Sequence, residues 1–200
     1  KESGFLTDEK ALLLAKTYNF PIVNSAIIKS EKELLSSALK FGYPLALKVS
    51  SPLIMHRNAV NGVRLNLQNK KELLDAYEVL HHLSDQLLLQ KMIEHETEVI
   101  VGSKKDADFS HLLLFGSGGI HADYLSDVNF GVIPLTYNDM EKMINGTKIA
   151  KLLKNKSLFW SIFTSLVSML TDFPQIAEVD INPIIVLQDK LYCVDFKVKV

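Results

Sequence analysis

The sequence predicts an α+β (α/β) fold in two lobes, each with a mainly antiparallel sheet and helices. Two observations carry this. Residues 43–67 read as strand, long loop, strand, with Leu45, Leu47 and Val49 alternating against Ala46, Lys48 and Ser50. Around them, capped amphipathic helices alternate with short apolar runs, the pattern of helices packed on sheets.

Of 200 residues, 48% are apolar, enough for a sizeable core or two small ones. The formal net charge of −1 gives no basic excess, so neither nucleic acid nor a membrane surface is indicated as a partner. No apolar run reaches membrane-spanning length and no signal-peptide layout opens the chain. The single cysteine, Cys193, cannot form an internal disulfide, and a reducing cytoplasm is expected. The chain begins at Lys1 rather than Met, as a piece of a longer polypeptide would.

The elements follow in order. Thr7 caps a helix to Tyr18, with Ala11, Leu14, Ala15 and Tyr18 as its apolar stripe. A short strand falls within 21–28. Ser30 and Glu33 have capping-box spacing before a helix with Leu34, Leu35, Ala38 and Leu39 inward, stopped at Gly42. After the central pair of strands, in which Val63, Leu65 and Leu67 are expected to face the core, Asn69 and Glu72 open a third helix. Residues 1–85 thus form the smaller lobe. In the larger lobe, 86–200, strands are expected at 86–93, 97–102, 111–115, 120–125 and 128–133. Helices start at Thr136 and near Leu158, and a closing hairpin turns at Asp189-Lys190.

Three stretches could carry chemistry. The loop 50–61 is about twice the usual hairpin length, and such loops are usually functional or disordered. It holds His56 and Arg57, able to approach phosphate oxygens; the plainer reading is a surface loop with two ordinary basic residues. In Ala177-Glu178-Val179-Asp180-Ile181-Asn182-Pro183, alternation puts Glu178, Asp180 and Asn182 on one strand face. Buried carboxylates need partners, and a hard cation such as Mg²⁺ is one solution. The hairpin partner brings Asp195 beside Asn182; an exposed edge strand with a polar face is the plainer account. Gly116-Ser117-Gly118-Gly119 could cradle an anion with its amides or simply turn the chain. The scattered histidines lack metal-ligand spacing, and His95, His111 and His121 are expected at the surface or in turns.

Taken together, six stretches resemble one family. They are Tyr43-Pro44-Leu45-Ala46-Leu47-Lys48, Ser51-Pro52 with Met55-His56-Arg57, Asn61-Gly62-Val63-Arg64-Leu65, Glu98-Val99-Ile100-Val101-Gly102, Phe115-Gly116-Ser117-Gly118-Gly119-Ile120, and Glu178-Val179-Asp180-Ile181-Asn182-Pro183. The family is the ATP-grasp domain of ADP-forming (NDP-forming) acyl-CoA synthetases, of the acetyl-CoA synthetase beta-subunit type, akin to the succinyl-CoA ligase beta subunit. The resemblance covers nearly the whole chain in the family's order.

The resemblance implies an ATP-grasp fold with ATP or ADP held between the lobes. By it, Lys48 holds ATP phosphates and His56 takes part in phosphoryl relay, with Arg57 in place of the family's lysine. Gln90, Lys91, Met92 and Ile93 correspond to the adenine-binding hinge and Glu98 to the acid near the ribose. Asn182 and Asp195 match Mg²⁺ ligands, and Asp180 the carboxylate facing a phosphohistidine. A CoA-binding (CoA-ligase) domain or subunit, a small carboxylic acid and CoA are the implied partners. The sequence departs from the family at Asn61 and Ser110, where it has glycines, at Asp123 for a glutamate, and at Gly131 for an arginine. These departures leave open a catalytically degenerate ATP-grasp module that binds nucleotide for regulation or assembly, as in an acetyltransferase fusion.

Overall fold

The computed structural model describes residues 4–51, 54, 57–94, 97–119 and 127–200, with the backbone alone at Asn58. They divide into two compact units, Lys1–Lys10 with Val23–Ile93, and Ala11–Ile22 with Glu94–Val200. Helix α1 (Asp8–Thr17) spans the division.

In the first unit, β1 (Ser25–Ile28), β2 (Leu45–Val49), β3 (Val63–Leu67) and β4 (Leu87–Lys91) form an antiparallel sheet in the order β1-β4-β2-β3. Helices α2 (Glu31–Phe41) and α3 (Lys70–Leu80) supply the apolar face that covers it. Both start where local chemistry satisfies the orphan amides of a helix N-terminus. Ser30 Oγ accepts from the Glu33 amide at 3.3 Å, and Asn69 Oδ1 from the Glu72 amide at 3.0 Å. Gly42, at φ 70°, ends α2 with its amide donating to Ala38 O. Ile28, Leu34, Leu45, Leu47, Leu73 and Leu89 form the heart of this core.

Four expected core residues lie outside it. Leu35 and Val63 are only half-buried, and Val63 pairs with Lys48 rather than with a core residue. Leu39 is 87% exposed, because α2 buries only the stripe through Leu34 and Ala38. Leu65 is also exposed. A register shift interrupts the β2–β3 pairing, and Asn66 stands beside it at φ 58°. The irregularity breaks the two-residue alternation that would have turned Leu65 inward.

Among the described residues, the second unit has six strands. Five run in the order β10 (Lys197–Lys199), β8 (Glu178–Leu187), β5 (Thr97–Asp106), β6 (Ser110–Ser117), β7 (Val128–Val132), and β9 (Lys190–Cys193) also pairs with β8. Helix α4 (Tyr137–Asn145) carries a complete capping box between Thr136 and Asp139. Helix α5 (Leu158–Asp172) buries Phe159, Ile162, Phe163 and Leu166. Its Phe159 meets Phe115 of β6 edge to face, with ring centroids 5.1 Å apart. The Ala11–Ile22 segment is tied here by the Tyr18 hydroxyl donating to Asp172 Oδ2 at 2.6 Å and by Phe20 against Phe196.

The edge-strand reading of residues 178–187 is overturned: β8 is an interior strand, with β5 on one side and β9 and β10 on the other. His111, expected at the surface, is 2% exposed in β6. Its Nε2 lies 2.9 Å from the Ile176 carbonyl, a bond that makes its burial tolerable. The strand expected at 120–125, with His121 and Asp123, and the turn at His95 lie outside the described residues. Among the described residues, no helix is long and apolar enough to cross a membrane.

The two leucines of α2 give a direct test of this packing. Leu34→Ala should cost about 2–5 kcal/mol in urea denaturation, whereas Leu39→Ala should stay within about 0.5 kcal/mol of the parent.

Candidate functional site

The candidate residues fall into two groups, one in each unit. In the first, Lys48 lies mid-strand in β2, between Val63 of β3 and Leu88 of β4, and is 8% exposed. Lysine is rarely so buried without partners. Gln90, also buried, donates from Nε2 to Ser25 Oγ at 3.0 Å. Lys91 donates from Nζ to Tyr43 O at 2.5 Å and Gly42 O at 3.3 Å, so its ammonium closes the chain that follows α2. The Lys91 amide donates to Asn24 O and the Met92 amide to Pro44 O. The Met92 sulfur meets the Asn66 amide, and Ile93 lies two residues past the end of β4.

His56 lies outside the described residues. Arg57, next to it, opens a single 3₁₀ turn (Arg57–Val60). Its Nη2 donates to Asp8 Oδ1 at 2.6 Å, with the two side chains 9% and 12% exposed. An ion pair this buried is strongly destabilising to break, because the remaining charge is stranded. Arg57 therefore fastens the end of the long loop to the first turn of α1. The Gly62 amide also donates to Arg57 O at 2.8 Å, and a Cβ at Gly62 would press on Arg57 O and Val49.

Three departures from the family pattern acquire a structural reading. Asn61 and Ser110 stand at φ 54° and 64°, the left-handed region where glycine is the default residue. Asparagine adopts it at little cost, so the backbone there does not require glycine. At Gly131 a Cβ would lie 2.6 Å from Met143 Sδ and 3.0 Å from a Leu135 methyl. A side chain there would have to move the Met143 thioether and the Leu135 methyl, the far ends of flexible side chains.

In the second unit, Glu98 (β5) and Asn182 (β8) both meet the turn after β6. The Gly118 amide donates to Glu98 O at 2.9 Å and the Gly119 amide to Asn182 Oδ1 at 2.9 Å. The Glu98 carboxylate fills the space that a Cβ on Gly119 would need. With the Ser117 amide donating to Asp127 O, all three amides of this turn have acceptors within the protein. The glycines here serve close backbone approach and chain reversal, not an anion cradle.

Strand β8 sets the oxygen-bearing row. Glu178, Asp180 and Asn182 are half-buried and alternate with buried Val179 and Ile181. On the neighbouring edge, Lys199 pairs with Glu178 and Lys197 with Asp180, while further along Cys193 pairs with Ile184. The partner strand is interrupted at 194–196, yet the pairing on either side keeps the same register, and the Val194 amide still donates to Pro183 O at 3.1 Å. Asn182 therefore lies across from Asp195. Asp195 Oδ2 is 3.5 Å from Lys197 Nζ. Among the described residues, no three His, Cys, Asp or Glu side chains cluster as a self-sufficient metal site. Burial pushes the Cys193 thiol far up, leaving it a packed apolar group.

Three contributors escaped the sequence reading. Asp8 looks like an ordinary acidic residue in a helix's first turn, and Lys197 like one of several strand lysines. Asp127 is buried, and its carboxylate accepts from the Lys148 amide (2.6 Å), the Ser117 hydroxyl (2.7 Å) and the Ile149 amide (2.8 Å). It thereby closes the segment 118–126 at its base, a role with no local sequence signature.

The first unit thus holds a buried lysine in its sheet, and the second holds a row of oxygen-bearing side chains, groups of the kind that phosphates and hard cations take as partners. Relatives of known activity name the class. A model of the ATP-grasp domain matches residues 1–200. The beta subunit of Pyrococcus furiosus acetate–CoA ligase [ADP-forming] II is 30% identical over 90% of this chain and 84% of its own length. The 4-hydroxybutyrate–CoA ligase [ADP-forming] of Nitrosopumilus maritimus is also 30% identical, but the chain spans only 29% of it. The acetyl-coenzyme A synthetase 1 of Ca. Korarchaeum cryptofilum, in complex with coenzyme A and Ca-AMPCP, superposes with a TM-score of 0.91 at 27% identity, covering 98% of this chain and 93% of that one. The chain belongs to the ATP-grasp family, in the branch of the ADP-forming acyl-CoA synthetases.

The Asp127 anchor has a pH signature. Burial raises its pKa, but the Lys148 amide, the Ser117 hydroxyl and the Ile149 amide outweigh it, and the net result lies below the usual carboxylate value. The stability this contributes is present above the unfolded-state pKa and is lost as pH falls through the folded one. Melting temperatures of wild type and Asp127→Asn should therefore differ at neutral pH, and the gap should close as pH drops below about 4.

Proposed function

We propose that this chain is the nucleotide-handling part of an ADP-forming acyl-CoA synthetase, which interconverts acyl-CoA, ADP and phosphate with the free acid, CoA and ATP. The observation that carries the reading is the opposed pair of oxygen donors, Asn182 and Asp195, held in register across the break between β9 and β10. An amide and a carboxylate oxygen suit Mg²⁺, which keeps several waters and needs few protein ligands when phosphates supply the rest. Bound there with ATP or ADP, the ion would neutralise phosphate charge during transfer.

The remaining roles are those the family resemblance implies. Lys48 presents its ammonium to the phosphates from a strand. His56 accepts and returns the phosphoryl group, while Arg57, next to it in sequence, fastens the loop end to Asp8. Asp180 orients an incoming phosphohistidine. Gln90, Lys91, Met92 and Ile93 receive the adenine and Glu98 the ribose. The resemblance implies that a CoA-binding domain or subunit completes the enzyme. The beta-subunit match, and the 29% share of the longer ligase, support that division of labour. The left-handed backbone kept at Asn61 and Ser110 weighs against a degenerate module.

The chain should bind Mg-ATP in calorimetric titration. Lys48→Ala should lower affinity at least tenfold, since a hydrogen bond to a charged group is worth about 1.5–3 kcal/mol. Asp195→Asn should flatten the dependence of ATP affinity on Mg²⁺, while Asp189→Asn, at the hairpin turn, should not. Acyl-CoA formation by this chain with no partner present would overturn the division of labour.

A further inference from the structure

The polar face of β8 carries three acidic or amide positions, and register sets cations beside them unevenly. Glu178 lies between Lys199 on one side and Lys104 on the other. Asp180 lies between Lys197 and Gly102, which has no side chain. Asp195, across from Asn182, is paired with that same Lys197, Nζ to Oδ2 at 3.5 Å, with the side chains 27% and 22% exposed. Among the described residues, Lys197 is the one cation that register places beside both carboxylates, Asp180 and Asp195.

We propose that Lys197 is an internal stand-in for the divalent cation, holding Asp195 until metal arrives with nucleotide. The inference rests on Asn182 and Asp195 being the metal ligands. An ammonium and a dication on one carboxylate repel each other at close range. Mg²⁺ also dehydrates reluctantly, and a carboxylate already neutralised offers it little return. Bare metal is therefore held off. The phosphates of a bound nucleotide bring several negative charges, which can accept both the metal and the displaced ammonium. The consequence is ordered loading: metal enters as the metal–nucleotide complex, and no carboxylate is left bare between turnovers.

The test uses Mn²⁺ as probe, with free ion counted by electron paramagnetic resonance, with and without ADP. Without ADP, wild type and Lys197→Arg should hold Mn²⁺ weakly, and Lys197→Met should hold it roughly two- to fivefold more tightly, the scale of a partly exposed ion pair. With ADP present, Asp195→Asn should lose Mn²⁺ in every background. Unchanged nucleotide-free Mn²⁺ affinity in Lys197→Met would overturn the stand-in while leaving the metal reading intact. Wild-type Mn²⁺ binding by Asp195→Asn with ADP would overturn the metal reading itself. A purely structural lysine would lower the melting temperature and leave Mn²⁺ affinity alone. Should Lys197→Met fail to fold, Lys197→Gln keeps a polar head of similar length and is read the same way.

Discussion

An interior strand holds its charged side chains beside neighbours on both edges, and the second unit is arranged around what register sets there. Strand β8 has β5 along one edge and β9 and β10 along the other, yet it carries Glu178, Asp180 and Asn182 on one face. Carboxylates in that setting need compensation, and register sets a lysine opposite each. The row then reaches Asn182, where the neighbouring strand is interrupted for three residues and an aspartate takes the place of a lysine. The charge pattern changes sign where the ladder opens. A sheet that only needed neutral packing would have no reason to do this.

The first unit meets the same constraint differently. Its charged groups stand apart from one another instead of in a row. Arg57 is joined to Asp8, Lys91 caps the carbonyls that follow α2, and Lys48 lies in mid-sheet. Arg57 and Lys91 are thus committed to contacts inside the unit.

Much of this was legible in the sequence because it is local. Caps at Ser30, Asn69 and Thr136, the stop at Gly42, and the alternation along 177–183 are decided by neighbours within four residues. The opposition of Asn182 and Asp195 followed from a hairpin whose turn could be placed. What escaped reading depends on distant contacts or on one irregular residue. Leu65 was misplaced because a single shift near Asn66 inverts the faces, and His111 because its partner, the Ile176 carbonyl, is far along the chain. The Arg57–Asp8 pair joins residues 49 apart in sequence, and nothing local marks either as buried. Leu39 fits the helical stripe but exceeds the width that α2 covers.

Asp127 is a seam in the second unit: its carboxylate takes hydrogen bonds from the end of β6 and from the segment after α4, while its backbone leads into β7. The Ser117 hydroxyl and the amides of Lys148 and Ile149 all end on this one side chain. Three pieces of the unit therefore share a single fastening, and a change at that residue loosens them together rather than one at a time.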